Sequence, residues 1–166
     1  MPSFRRILVA TDGTAACARA FDTATELARE LGASLVAVSV APGSTEGSIG
    51  TASDPLDGAE EAVAALERQD PQRARAAATA QARAAAARAA ELGVDASWRV
   101  WEGPTGDAIL AAAADEHVDL IVVGTHCRGA IGRLLLGSVS DYIVRNAQVP
   151  VMVVRPDASA KPVRSG

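Results

Sequence analysis

The residue types and spacings best suited to chemistry lie between Val118 and Val154, in the stretch VDLIVVGTHCRGAIGRLLLGSVSDYIVRNAQVPVMVV. A continuous apolar run, Leu120 to Val123, stops at Gly124, and a loop carrying Gly129 and Gly132 leads to Gly137-Ser138, where a helical pattern begins. A strand, a glycine-bearing loop and a helix start together make a resting place for an anion. Glycine has no side chain to clash with a ligand, and the free N–H groups and dipole of a helix start attract negative charge. Phosphate is the natural candidate. Ser138 and Asp141 have the S-x-x-D spacing of a capping box, which predicts Ser138 as the cap of this helix.

Other chemistries lack their residues. A P-loop needs G-x4-G-K-[ST] to bring a lysine to the phosphates, and the chain has no lysine before Lys161, which excludes Walker-type hydrolysis. The dinucleotide fingerprint G-x-G-x-x-G is missing after the first apolar run, where the turn reads Thr11-Asp12-Gly13-Thr14. No G-x-S-x-G elbow serves a serine hydrolase. His126 and Cys127 are adjacent, but catalytic pairs meet in space and rarely come from neighbours whose side chains diverge. His117 and His126 are scattered and make no metal site. Cys17 and Cys127 form neither a disulfide framework nor a C-x-x-C motif. Cys17, early in a helix, has two readings, a thiol activated by the helix dipole or a small packing residue, and the second is preferred. Arg128 and Arg133 offer positive charge to a phosphate tail or are simply solvated.

The stretch from Gly124 resembles the universal stress proteins, whose nucleotide-binding members show G-x2-G-x9-G-[ST] followed by a helix and a closing strand much like VPVMVV. Here the pattern reads Gly124, then Cys127 in place of the second glycine, then Gly137-Ser138. The resemblance extends to ILVATDGT near the start, SLVAVSV after the first helix and EGPTGDAI at 102–109. It implies an open five-stranded parallel α/β sheet, Rossmann-like, in strand order 3-2-1-4-5, with helices on both faces. Carried over by position, it implies that Asp12 and the backbone near Val40 contact adenine, while Gly124, Gly137, Ser138 and Ser140 contact ribose and phosphates. Cys127 and Arg128 would then lie beside the bound nucleotide. Asp12 alternatively serves only as a turn or helix-cap aspartate.

The elements that must position these residues follow from periodicity. Ile7 to Ala10 is a short buried strand entering the TDGT turn. Ala20, Ala24, Leu27, Ala28 and Leu31 share one face of a helix that Gly32 ends, and SLVAVSV is the second strand. Residues 41–58 turn to Gly, Ser, Thr, Pro and Asp without period and predict a mobile loop, with a short helix over 59–68. Asp70-Pro71 reads as an N-cap and first helical residue, opening an alanine-rich helix that Gly93 stops. Its arginines suggest either an acidic partner or, by preference, a solvated face over a sheet. Ala96 to Glu102, with Trp98 and Trp101, predicts an edge strand. A helix over Asp107 to Glu116, the fourth strand, a helix from Ser138 to Asn146 and a fifth strand at Val151 to Val154 complete the pattern, with a disordered tail at 157–166.

At 166 residues the chain is about one domain, taken as 1–156, able to bury a core without disulfides or metal. Hydrophobic residues make up 49% and aromatics 3%, so Val, Ile, Leu and Ala must supply that core. A net charge of -4 gives no bulk reason to bind nucleic acid or anionic lipid. Apolar runs fall short of the ~18 residues of a membrane span, and the expected compartment is the cytoplasm. The expectation is a stress-response regulatory or signalling module that binds an adenine nucleotide (ATP, or AMP or ADP), with Mg2+ or Mn2+ carried by the phosphates. Val151–Val154 at the sheet edge implies a homodimer, and a protein partner of unknown identity completes the picture. Catalysis is expected to be absent or limited to slow ATP hydrolysis. The alternatives are a stress protein that has lost nucleotide binding and works by dimerising and docking to a partner, which Cys127 favours, and a slow nucleotide hydrolase or transferase.

Overall fold

The computed structural model describes residues 4–43, 70–125 and 137–155. Of the loop expected over 41–58, the part beyond Gly43 lies outside them, as do the short helix at 59–68 and the tail at 157–166; Ala41 itself is still in the second strand, because it continues the pairing with the third.

The apolar runs fold as parallel strands, the three inner ones buried on both faces and the two edge ones only partly covered. The strands are β1 (Arg6–Ala10), β2 (Ser34–Ala41), β3 (Ala96–Glu102), β4 (Leu120–Gly124) and β5 (Val151–Val154). They form one sheet in the order β3-β2-β1-β4-β5, as the resemblance implied, and every pairing is parallel. The side chains alternate. Ile7, Val9, Leu35, Ala37, Leu120 and Val122 face one side, and Leu8, Val36, Val38, Ile121 and Val123 the other. Fully burying a side chain such as Ile7 or Leu8 contributes roughly 1.5–3 kcal/mol, so these two layers hold the sheet.

Among the described residues, four helices cover them: α1 (Ala15–Leu31), α2 (Pro71–Glu91), α3 (Thr105–Asp115) and α4 (Ser138–Asn146). Helix α1 packs Ala20, Phe21, Ala24 and Ala28 on the first layer, and α2 adds Ala86 and Ala89. On the second layer lie Ile109, Ala112 and Ala113 of α3 and Ile143 of α4. Gly32 ends α1 at φ 65, its N–H reaching Ala28 C=O, a left-handed conformation that glycine adopts without a Cβ penalty. Asp70 caps α2 by accepting from the N–H groups of Gln72 and Arg73. The buried alanines of α2 (74, 78, 82, 86 and 89) let it lie close to the sheet, while Arg75 pairs with Glu102 and Arg88 with Asp22. Those exposed pairs support the solvated-face reading of the arginines. Helix α3 starts at Thr105, two residues before the expected Asp107, because Pro104 already ends the turn at Gly103. Edge strand β3 leaves Trp98 39% exposed, as its partial alternation suggested.

Candidate functional site

The chain reverses its direction of exit between β1 and β4. These strands are neighbours, with Val9 opposite Val122. From the end of β1 the chain enters α1 on one face, and α4 after β4 covers the opposite face. In an open parallel sheet such a divergence leaves a crevice at the carboxyl ends of the strands, where ligands bind. Asp12 stands three residues past Val9 and Gly124 two past Val122, so both flank that crevice.

Strand β2 brings its own backbone edge to the same place. Thr11 N–H donates to Val38 C=O at 2.8 Å, and the β1–β2 register ends at Ala10 opposite Val38. On the other side, Gly103 N–H donates to Ala41 C=O and Leu35 N–H to Asp95 C=O, so odd-numbered residues of β2 face β3. Backbone polar groups alternate sides along a strand, which turns the N–H and C=O of Val40 toward β1, where β1 has already ended. Among the described residues neither group has a partner on that side. Val40 is half-buried, so a donor and an acceptor stand together at the crevice.

Asp12 is partly committed. Its Oδ1 accepts from Thr14 N–H at 2.9 Å and from Thr14 Oγ1 at 2.6 Å, a local turn that rigidifies TDGT. Oδ2 has no partner among the described residues. The turn role and a ligand role therefore use different oxygens of one carboxylate.

At the other lip the structure corrects the capping box. The N-cap of α4 is Gly137, with φ -60 and ψ 157, and among the described residues no side chain caps the helix. Gly137 N–H donates to Thr125 C=O at 2.8 Å, and this tether to the end of β4 places the extended cap conformation at 137. Ser138 is thereby already the first helical residue, exposed, and Asp141 pairs with Arg145 at 2.9 Å instead of reaching back. Ser140 is buried and its hydroxyl donates to Gly137 C=O at 2.9 Å. With no side-chain cap among the described residues, the first N–H groups of α4 can take a ligand or water. Cys127 and Arg128 lie outside the described residues.

Three contacts carried no signal in the sequence. Thr125, buried, joins β4 to α4 through its carbonyl and to β5 through its N–H, which donates to Val154 C=O at 3.0 Å. Gln81 of α2 accepts from the buried hydroxyl of Ser39 at 3.1 Å and lies against Gly13. Tyr142 of α4 donates its hydroxyl to the carboxylate of Asp107 on α3, over Gly106, where a Cβ would stand 2.4 Å from the ring. That hydrogen bond, the carboxylate charge and slight desolvation all raise the phenol above its ordinary 10.0. The only pointers in the sequence were the glycines of TDGT and EGPTGDAI, which suggest close approach but not by what. Cys17 is 1% exposed, which fits packing. Among the described residues no group of three or more His, Cys, Asp or Glu could hold a metal ion, and no helix is long and apolar enough to cross a membrane.

Comparison with known proteins agrees with this geometry. The chain is 31% identical over 155 residues to the universal stress protein YxiE of Bacillus subtilis, covering 92% of this chain and 99% of that one. It is 29% identical over 152 residues to the universal stress protein MJ0531 of Methanocaldococcus jannaschii, covering 92% and 82%. A universal stress protein solved in complex with cAMP superposes with a TM-score of 0.62 at 26% identity, over 92% of this chain and 97% of that one. With the sequence profile of the family matching residues 3–155 as well, the chain belongs to the universal stress protein family.

Proposed function

We propose that the chain binds an adenine nucleotide across the carboxyl ends of β1, β2 and β4 and acts as a regulatory module of the stress response. The observation that carries this reading is the open backbone edge of Val40. Adenine presents an exocyclic amine donor beside a ring-nitrogen acceptor. The C=O and N–H of Val40 offer the complementary pair, with Asp12 Oδ2 as a further acceptor for the amine or a ribose hydroxyl. At the opposite lip, the uncapped start of α4 suits phosphate oxygens. The relative in complex with cAMP supports the ligand class. ATP, ADP and AMP share the base and differ only in the length of the phosphate tail. Any Mg2+ or Mn2+ would be carried by those phosphates.

The output proposed is shape change or assembly rather than fast turnover. The assembly proposed is a homodimer through β5 that docks to a protein partner in the cytoplasm. Mass spectrometry of the gently purified protein should find a co-purified adenine nucleotide, and calorimetric titration of stripped protein with ATP and with cAMP should show saturable heat. Cys127, in place of the family's second glycine, favours a rival in which nucleotide binding is lost and only docking remains. Absence of binding to either ligand would establish that rival.

A further inference from the structure

Gln81 bonds to the chain neighbour of one proposed base contact and lies over the chain neighbour of the other. Its Oε1 accepts from Ser39 Oγ at 3.1 Å, and Ser39, which precedes Val40, is 1% exposed. Its Cγ, Cδ and Nε2 cover Gly13, which follows Asp12, at 3.2 to 3.3 Å from where a Cβ would stand. Gly13 has φ +78, so a side chain there would be strained as well as blocked by Gln81. The inner stripe of α2 is otherwise alanine, at 74, 78, 82, 86 and 89. A half-buried amide beside that stripe carries a desolvation cost that one hydrogen bond offsets only in part. Packing against the sheet does not require it, since alanine fills that need on either side.

We propose that Gln81 is a positioning residue of the nucleotide site: by bracing the TDGT turn against the end of β2, it fixes the separation of Asp12 from Val40 and thereby which base edge fits between them. This deepens the adenine reading and rests on it. Val40 is placed by the ladder of β2, whereas Asp12 rides on a turn whose own bonds to Thr14 are internal and move with it. Among the described residues, the Thr11 N–H bond to Val38 and the Gln81 side chain lying over Gly13 register that turn on β2. Recognition of a base edge by two fixed groups tolerates only about 0.5 Å of error. Releasing the brace should therefore cost discrimination between bases more than it costs binding as such.

The test compares affinities for ATP and GTP by calorimetry on the full chain. In wild type ATP should bind more tightly. Ser39→Ala and Gln81→Ala should each lower the ATP:GTP affinity ratio by about fivefold, the scale of one net hydrogen bond, and the double variant should lower it no further. Gln81→Glu should restore the ratio, because a carboxylate also accepts from Ser39 and fills the same place, while its charge weakens both nucleotides alike. Ser39→Ala deletes one buried oxygen on the α2 side and keeps the test open if Gln81→Ala fails to fold. Equal losses for ATP and GTP with the ratio unchanged would overturn the positioning role and leave the adenine reading standing. No binding of either nucleotide by wild type would overturn both.

Discussion

Gly137 and Thr125 are locked backbone to backbone: the N–H of Gly137 donates to Thr125 C=O at 2.8 Å, and a Cβ at 137 would stand 2.4 Å from that same oxygen. The φ of -60 is open to any residue, so glycine is required here by close approach and not by backbone conformation. Gly137→Ala must push α4 off the end of β4, at a cost of about 1–3 kcal/mol on the scale of overpacked sites. Urea denaturation should show the lowered midpoint in protein free of nucleotide. Nucleotide affinity should fall with it, because the uncapped N–H groups move with the helix. An unchanged midpoint would mean that the 125–137 closure is loose in solution.

Tyr142 is the one tyrosine in the sequence, so tyrosinate absorbance reports its ionisation alone. Its bond to Asp107 and that group's charge raise the folded phenol above 10.0. A raised folded pKa contributes stability that is complete below the unfolded value and is lost as pH climbs through the folded one. The titration midpoint of wild type should therefore lie above that of free tyrosine, and Asp107→Ala should bring it back. Wild type should exceed Asp107→Ala in denaturant midpoint at neutral pH, with the difference shrinking as pH rises past 10. Coincident titration curves would show that the α3–α4 bond does not persist.

Most of the fold was legible because each element announces itself through local chemistry. Apolar runs bounded by breakers gave the five strands to within a residue or so, and Gly32 and Asp70-Pro71 marked helix ends that formed as written. Ser138 misled because S-x-x-D spacing cannot say which residue will take the extended cap conformation. The tether from Gly137 to Thr125 decides that, and it joins residues twelve apart in the chain. Gln81 and Ser39 are 42 positions apart, and a glutamine in an alanine-rich helix looks like any solvated residue until the helix is laid on the sheet. The half of the site made of backbone edges, as at Val40, is written in strand register rather than in residue type.

Glu116, with its side chain 9% exposed, accepts from both Arg6 and Arg99 and so ties the end of α3 to β1 and β3. Removing one member of such a cluster leaves the others desolvated, a cost of about 3–5 kcal/mol in fully buried cases. Arg6 and Arg99 are 35% and 46% exposed and can recover some hydration. Glu116→Ala should therefore destabilise by about 1–3 kcal/mol. Glu116→Gln, which keeps an acceptor but not the charge, should lose less. Urea midpoints of the three proteins should fall in the order wild type, Gln, Ala, and equal midpoints would reduce the cluster to a surface contact.

Among the described residues strand β5 has no neighbour on its outer side, a geometry that allows a clean test of the proposed dimer. Ile121 N–H donates to Pro150 C=O and Thr125 N–H to Val154 C=O, so residues 150, 152 and 154 face β4. By alternation, Val151 and Val153 turn their N–H and C=O groups outward, away from the sheet. A proline at 153 would delete only an outward N–H, which edge strands tolerate, and would leave the ladder to β4 intact. If two chains pair their β5 edges, Val153→Pro should sediment as a monomer with its denaturation midpoint, extrapolated to low protein concentration, close to that of wild type. Val144→Lys, on the exposed face of α4, should remain dimeric as the control. A Val153→Pro protein that stays dimeric would move the interface off this edge, and the unpaired side of β3 beside Trp98 would be the next edge to block.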